Sequence, residues 1–156
     1  MDSDSKIYIE RAKNEINLSK IIMKISEDEK IQKEIFEMPK DSYYSAVISH
    51  SYYSIFYMAK AYLLTKNIKT TPPEEHKKTY EELKKLVKKG LVDVELLKIY
   101  QELMFRADTL LKIFEIEKSK RGKFTYKKLP QANAEPAKAS LKNAKTFFGH
   151  MNALCE

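Results

Sequence analysis

A helical pattern over residues 43–67, YYSAVISHSYYSIFYMAKAYLLTKN, constrains the fold more than any other part of the chain. One face of this helix carries large apolar side chains, and the neighbouring face carries Val, Ser, Met and Ala. A helix that is apolar on nearly all sides is typical of the middle of a bundle. Its small residues, among them Ala46, Ser49 and Ala59, would let neighbouring helices approach closely. The pattern therefore predicts a buried central helix in an all-α protein.

Further helices are predicted on both sides of this central one. Helical periodicity covers four other segments, about residues 5–25, 74–89, 93–118 and a last one that opens near residue 133. Ser26 and Glu29 have the spacing of a capping box, which predicts a short helix through Phe36. The chain has only three glycines, no strand-like alternation of useful length and no internal repeat. We therefore expect a single domain over residues 1–156, an all-α, up-and-down four-helix bundle with additional short helices.

The positive charge of the chain is concentrated in one segment. The formal net charge is +7, and residues 112–128 hold seven cations against two anions. A local surplus of this kind suits an acidic partner such as RNA or a nucleotide, and it is equally typical of a solvated lysine-rich surface. The cations alternate with Phe124 and Tyr126, a composition that holds single-stranded nucleic acid by charge and stacking. The alternative is that the two aromatic rings pin a loop to the bundle while the lysines stay in water. The candidate nucleic-acid-binding residues are Lys120, Arg121, Lys123, Lys127 and Lys128.

Arg106 is the first candidate for a functional residue among the predicted helices. It borders the apolar stripe of the fourth helix in a chain that has three arginines and many lysines. A planar guanidinium binds phosphate through two parallel hydrogen bonds, so Arg106 is a candidate phosphate or nucleotide clamp in a cleft between helices. The alternative is a buried ion pair, with Asp108, Glu102 or Asp41 as its partner. Both readings of Arg106 stay open at this point.

Metal and cofactor chemistry have little support in the sequence. His50, His76 and His150 belong to separate elements, and no cluster of metal ligands or glycine-rich phosphate loop occurs, so we expect neither a metal site nor a cofactor. His50 lies inside the central helix and is expected to be a satisfied core histidine. A single cysteine, Cys155, fits a reducing cytosol. No apolar run approaches the roughly 20 residues that cross a bilayer. We therefore expect a cytoplasmic protein without a membrane segment.

The segment YYSIFYMAKA, which begins at Tyr52, resembles the second-helix signature of an uncharacterised bacterial and archaeal branch of HEPN domain proteins. His76 lies where that branch often has a histidine, and Arg106 and Asp108 match its arginine-plus-aspartate pattern on the late helix. The resemblance implies a HEPN-like helical bundle in which Arg106, Asp108, His76 and Tyr52 are candidate ligand-binding residues. It also implies a nucleotide- or RNA-binding function, a homodimer, and a companion minimal nucleotidyltransferase in a toxin–antitoxin-like pair.

The chain departs from the pattern of HEPN ribonucleases. Those enzymes carry an arginine followed four to six residues later by a histidine on the same helix, and residues 107–113 contain no histidine. The imidazole that would act near neutral pH is therefore missing from this helix. We therefore expect a non-catalytic or weakly catalytic protein that binds a nucleotide, RNA or a protein partner. Two alternatives stay open: a metal-independent endoribonuclease toxin that uses Arg106 with Asp108 or with a histidine from another helix, and a purely structural helical adaptor.

Overall fold

The computed structural model describes residues 2–119 and 134–156, with side chains described up to residue 110 and again from residue 134. Within these residues the chain forms five α-helices and one π-helical turn, and no strand. The α-helices are α1 (Ser3–Glu27), α2 (Tyr44–Thr65), α3 (Glu75–Lys88), α4 (Val94–Ser119) and α5 (Ala134–Cys155). The π-helical turn, Ile31–Ile35, connects α1 to α2. The predicted all-α fold is confirmed.

The turn between α3 and α4 follows directly from its sequence. Gly90 has φ +71°, a left-handed conformation that glycine adopts without a steric penalty. The backbone N–H of Leu91 then donates to the carbonyl of Leu86 over 3.0 Å, which closes the end of α3. Three residues after Gly90, the side chain of Asp93 accepts a hydrogen bond from the N–H of Glu95 over 2.8 Å and caps the start of α4.

The capping box predicted at Ser26 and Glu29 is wrong. Ser26 lies inside α1, which continues beyond it, so it cannot act as the first cap of another helix. Its hydroxyl instead accepts a hydrogen bond from the backbone N–H of Tyr43 over 2.8 Å. Asp28 takes the local capping role, because its carboxylate accepts a hydrogen bond from the N–H of Ile31 over 3.1 Å. A rule based on the spacing of two nearby residues cannot show how far packing extends a long helix.

Contacts between side chains give the direction of the first helices. The hydroxyl of Ser19 donates to the carbonyl of Val47 over 3.2 Å, while the rings of Tyr8 and Tyr57 stack with their centroids 6.1 Å apart. Residue numbers therefore fall along α1 as they rise along α2, and the two helices are antiparallel. Their connection through the π-helical turn is short, as expected for adjacent helices of a bundle.

The later helices continue the same alternation. The guanidinium of Arg106 contacts Ser140 on α5, and Tyr100 packs against Phe147 further along, so α4 and α5 are also antiparallel. Because Leu141 shares an apolar cluster with Ile48, and Cys155 lies beside Tyr62, α5 runs parallel to α2. The helices α1, α2, α4 and α5 thus form an up-and-down bundle, and the shorter α3 packs against α2 and α4.

The core is built around α2. Thirteen of its 22 residues are buried, compared with five in α1, four in α3 and seven in α5, so the prediction of a buried central helix is confirmed against these three. Among the side chains that the structure describes, the largest fully buried ones are Tyr62 of α2 itself, Tyr100 and Phe147. Ala59 on α2 is completely enclosed, and its small side chain lets the adjacent helices pack close to the α2 backbone.

Candidate functional site

The histidine cleft is a cavity of about 190 Å³ where α2, the first turn of α3 and α4 meet. Its lining residues are Ser49, Tyr52, Tyr53, His76, Ala107 and Asp108. Three of the four residues predicted to bind a ligand, Tyr52, His76 and Asp108, therefore lie around one cavity. They come from three different helices, so only the packing of the bundle brings them together.

The His76 ring is held in a fixed orientation by α2. Its Nδ1 atom and the Tyr52 hydroxyl share a hydrogen bond of 2.9 Å. One face of the ring stacks on Phe56, with centroids 3.8 Å apart and planes 12° from parallel. Tyr53 meets the imidazole edge-on, with 6.1 Å between centroids. Although His76 is a surface residue, its ring therefore has few orientations open to it.

A polar network under the cleft fixes the start of α3, and with it the backbone of His76. The ammonium of Lys60, whose side chain is only 7% exposed, forms an ion pair with Glu75. The hydroxyl of Thr79 donates to the Glu75 carbonyl over 2.8 Å and also contacts the buried Thr70 hydroxyl at 2.8 Å. Because Glu75 immediately precedes His76, this network sets where the imidazole enters the cleft.

The electrostatic environment keeps both hydrogen-bonded groups of the cleft uncharged near neutral pH. Partial burial lowers the pKa of His76 below its ordinary value of 6.5, and the nearby ammonium of Lys60 acts in the same direction. The carboxylates of Glu75 and Asp108 oppose this shift without reversing it. Burial, with a smaller contribution from Asp108, raises the pKa of Tyr52 well above its ordinary value of 10. The cleft therefore presents a neutral imidazole, a protonated phenol and the Asp108 side chain.

Arg106 does not line the histidine cleft. Residues two apart on an α-helix point in nearly opposite directions, and here Asp108 faces α2 while Arg106 faces α5. Its Nη1 donates to the hydroxyl of the buried Ser140 over 3.1 Å, and its Nη2 lies 4.0 Å from the carboxylate of Glu102. Among the partners considered for an ion pair, Glu102 is therefore the one within reach. A ligand-binding role for Arg106 stays a prediction, on the α5 side of α4.

The other predicted residues are dispersed. His50 is half-buried on α2, where its Nδ1 lies 2.5 Å from the carboxylate of Glu15 on α1, so it has a polar partner but is not enclosed in the core. His150 is exposed near the end of α5. The candidate nucleic-acid-binding residues lie outside the described part of the chain: Lys120, Arg121, Lys123, Lys127 and Lys128.

Sequence reasoning missed two features of this site. Phe56 and Tyr53 flank the imidazole, yet on sequence they are two among many aromatic residues of α2. Lys60 could have been noticed, because it is a charged residue in an otherwise apolar part of a central helix, where a buried charge requires a partner. Its partner Glu75 lies across a linker, at a distance that no helical spacing rule covers.

The cleft offers hydrogen-bonding and stacking groups rather than metal ligands. Among residues 2–119 and 134–156, no three His, Cys, Asp or Glu side chains are grouped so that they could hold a metal ion. An edge of His76, the exposed ring of Tyr53 and the carboxylate of Asp108 can instead contact a planar polar molecule. Such an arrangement is suited to binding a heteroaromatic ring.

A family model of the HEPN domain matches residues 29–153, which is most of the chain. The chain belongs to the HEPN domain family. The match spans all three helices that build the histidine cleft, and membership supports a nucleotide- or RNA-related role in general. No curated protein and no solved structure matches this HEPN chain. In the described part of the chain, every helix is too short or too polar to cross a membrane.

Proposed function

We propose that this HEPN protein binds a nucleotide or an RNA strand and holds one base in the histidine cleft. The observation that carries the proposal is the meeting of Tyr53, His76 and Asp108 around a cavity of about 190 Å³. Tyr53 is 39% exposed, so its ring is accessible to a ligand. Aromatic and imidazole rings of this kind stack on unpaired bases in RNA-binding proteins.

The polar groups of the cleft fit a base better than a phosphate. Within the described part of the chain, none of the residues that line it is a lysine or an arginine, and Asp108 would repel a phosphate group. A carboxylate accepts hydrogen bonds from the amino groups of bases, and the hydroxyl of Ser49, which also lines the cleft, can donate or accept a further hydrogen bond. We therefore expect cytosine, adenine and guanine to bind more tightly than uracil, which carries no amino group.

Substitution of Asp108 by Asn tests this proposal. The change keeps the shape of the side chain but removes the negative charge and replaces one of the two acceptor oxygens by a donor, so a base amino group would lose a charge-assisted hydrogen bond. We expect the affinity for the preferred nucleoside monophosphate to fall by about 1–3 kcal/mol, as measured by isothermal titration calorimetry. Glu102→Gln on the same helix is the matched control, because Glu102 is exposed and lies outside the cleft. Equal affinities of the two variants, or no binding by the unmodified protein, would refute the proposal.

We further propose a homodimer and a companion minimal nucleotidyltransferase in a toxin–antitoxin-like pair, in a cytoplasmic setting. The resemblance of residues 52–61 supports the companion, and a nucleotidyltransferase gene beside this one would be the cheapest test. The dimer is supported by Phe105, which is 72% exposed and lies one helical turn from Asp108. Substitution of Phe105 by Asp should give a monomer by light scattering if this ring lies in the dimer interface. An unchanged mass would remove Phe105 from that interface.

An endoribonuclease is the second candidate function, and one observation favours it. His76, a histidine from a different helix than Arg106, lies at the same cavity as Asp108 and shares a hydrogen bond with Tyr52. A neutral imidazole can accept a proton from a 2′-hydroxyl, which is the first step of metal-independent RNA cleavage. Cleavage of single-stranded RNA that is lost in His76→Ala and retained in His150→Ala would support this alternative. No cleavage by the unmodified protein in the presence of a chelator would exclude it.

A further inference from the structure

A second cavity, the Lys60 cavity, lies between α1, the last turns of α2 and the linker that follows α2. Its volume is about 200 Å³, and the residues that matter to its chemistry are Asp4, Tyr8, Arg11, Lys60, Lys69 and Thr70. It differs from the histidine cleft in its charge, because three of these residues are cations. Neither the family match nor the predicted site residues account for this concentration of positive charge.

Among the described residues, Lys60 is the only one of the three cations with a carboxylate partner. Lys60 is neutralised by Glu75, and its ammonium also reaches the Thr70 carbonyl at 3.4 Å. Within the described part of the chain, neither Arg11 nor Lys69 has a carboxylate within 4.0 Å. Asp4 also lines the cavity and reduces its positive charge without removing it. The cavity therefore keeps one net positive charge on polar walls, which suits an anionic group.

A row of tyrosine rings, the tyrosine track, joins the two cavities. The track consists of Tyr8, Tyr57 and Tyr53, with centroids 6.1 Å apart for the first pair and 6.5 Å apart for the second. Both pairs are stacked, with interplanar angles of 21° and 28°. Tyr8 lines the Lys60 cavity, and Tyr53 lines the histidine cleft. The guanidinium of Arg11 lies 5.6 Å from the centre of the Tyr57 ring, so one positive charge lies beside the middle ring of the track.

The spacing of the two cavities matches a short strand rather than a single nucleotide. Tyr53 and Lys60 are two turns apart on α2, or about 10 Å at 1.5 Å per residue. Stacked nucleotides advance by about 3.4 Å each along one strand, so three of them cover this distance. Aromatic rings beside a cationic groove are the means by which proteins hold single strands without reading their sequence.

We propose that the Lys60 cavity is a phosphate subsite, in which Arg11 and Lys69 bind the backbone of a single strand whose bases lie along the tyrosine track. This inference rests on the proposed function, because the same strand places its last base in the histidine cleft. It names the ligand as an oligonucleotide of at least three residues. A mononucleotide would fill the cleft alone and would gain nothing from Arg11 or Lys69.

The test compares oligonucleotide binding by the unmodified protein and by the double variant Arg11→Gln/Lys69→Gln. Fluorescence anisotropy with a labelled, unstructured adenosine pentanucleotide is measured from about 0.1 M to 1 M salt, and adenosine monophosphate is titrated separately. Each lost phosphate contact on a single strand lowers the slope of log affinity against log salt by about 0.7. Two lost contacts lower this slope by about 1.4, so if both proteins bind the pentamer equally near 1 M salt, we expect the double variant to bind it about 25-fold more weakly than the unmodified protein at about 0.1 M salt. Its affinity for the monophosphate should not change.

Two further variants complete the experiment. Lys13→Gln/Lys88→Gln removes the same charge from exposed positions outside both cavities and should leave the salt slope within experimental error. Tyr57→Leu keeps an apolar side chain but removes the middle ring of the track, and we expect pentamer affinity to fall by about 5- to 150-fold. Circular dichroism melts of each variant check that the bundle is intact.

Each outcome decides the inference. Equal pentamer affinity in the unmodified protein and the Arg11/Lys69 double variant overturns the phosphate subsite. In that case the proposed function still stands if Asp108→Asn weakens nucleotide binding. A pentamer that binds no more tightly than the monophosphate overturns the length requirement and the subsite with it. Absence of any nucleotide binding overturns both proposals. A change of molecular mass in the double variant, measured by light scattering, would assign this surface to a protein contact and would also overturn the subsite.

Discussion

Arg106 and Asp108 are separated by one residue on α4, yet they belong to two different regions of the molecule. Asp108 lines a cavity that opens to solvent between α2 and α3. Arg106 contacts the buried hydroxyl of Ser140 and thereby links α4 to α5. Arg106 and Asp108 thus belong to one sequence motif, but the geometry of the helix places their side chains in different regions. The comparison predicts that changes on the α5 side alter stability, while changes on the cleft side alter binding.

The largest effect is expected from a substitution that disrupts α2, because both regions depend on the packing of the bundle around this helix. Ala59→Asp places a charge in a fully enclosed position on α2 that has no room for a partner. We expect the free energy of unfolding to fall by more than about 4 kcal/mol, with both regions lost, as measured by denaturant titration followed by circular dichroism. The exposed Ala153→Asp should stay within about 0.5 kcal/mol of the unmodified protein. A native-like melt of Ala59→Asp would contradict the central position of α2.

A change at Lys60 separates the two regions from each other. Lys60→Met leaves Glu75 partly buried without its partner, which should destabilise the protein by about 3 kcal/mol. Because Glu75 precedes His76, base binding in the histidine cleft should weaken as well, while the α4–α5 contact at Ser140 stays in place. The double variant Lys60→Met/Glu75→Leu should recover most of the stability in chemical denaturation. Failure of this rescue would mean that Lys60 acts through its contacts with Tyr8 and Phe56 rather than through the ion pair.

Arg106 gives a smaller effect and the sharpest contrast with Asp108. Arg106→Met removes the hydrogen bond to Ser140, and we expect a loss of about 1 kcal/mol in the free energy of unfolding. Nucleotide affinity, measured by calorimetry, should be unchanged. Because Arg106 and Asp108 face different helices, Asp108→Leu should not rescue Arg106→Met, and the two effects should add to within about 0.5 kcal/mol. Loss of nucleotide binding in Arg106→Met with little loss of stability would support the prediction from the sequence that Arg106 is a phosphate or nucleotide clamp.

The pH dependence at His76 is the smallest expected effect. The pKa of this imidazole is lower in the folded protein than in the unfolded chain, so the unfolded chain binds more protons between the two values. The contribution of His76 to the free energy of unfolding is therefore fully present above about pH 6.5. It declines as the pH falls from there towards the lowered pKa of the folded protein. His76→Gln should show a flatter dependence of melting temperature on pH between about 7.5 and 5. An identical dependence in both proteins would mean that His76 does not titrate differently on folding.

The bundle could be predicted from the sequence because its cause is local. The apolar faces recur at helical spacing over each segment, and scarce glycines leave few places where a helix can end. The end of α3 and the start of α4 also follow from local residues. Gly90 adopts the left-handed backbone at the end of α3, and the side chain of Asp93 caps the start of α4. At Ser26 the same kind of local rule was wrong, because α1 continues through it.

The candidate site could be predicted only in part. Tyr52, His76 and Asp108 were identified through the family resemblance, but their meeting in one cavity depends on how α2, α3 and α4 pack, which no spacing within a helix determines. The opposite orientation of Arg106 follows from helical geometry, whereas its contact with Ser140 depends on the register of α5. The pairing of Lys60 with Glu75 likewise requires the path of the linker between them.

The parallel packing of α5 on α2 has a consequence for the order of folding. Helices α1 and α2 are neighbours in the chain and can pair after closing a short loop, whereas Ile48 and Leu141 are separated by roughly 90 residues. Closing so long a segment costs more chain entropy and comes after the local pairs have formed. We expect α5 to be the last helix to dock and the first to detach. Native-state hydrogen exchange should then show the amides of α5 opening at a lower free energy than those of α2.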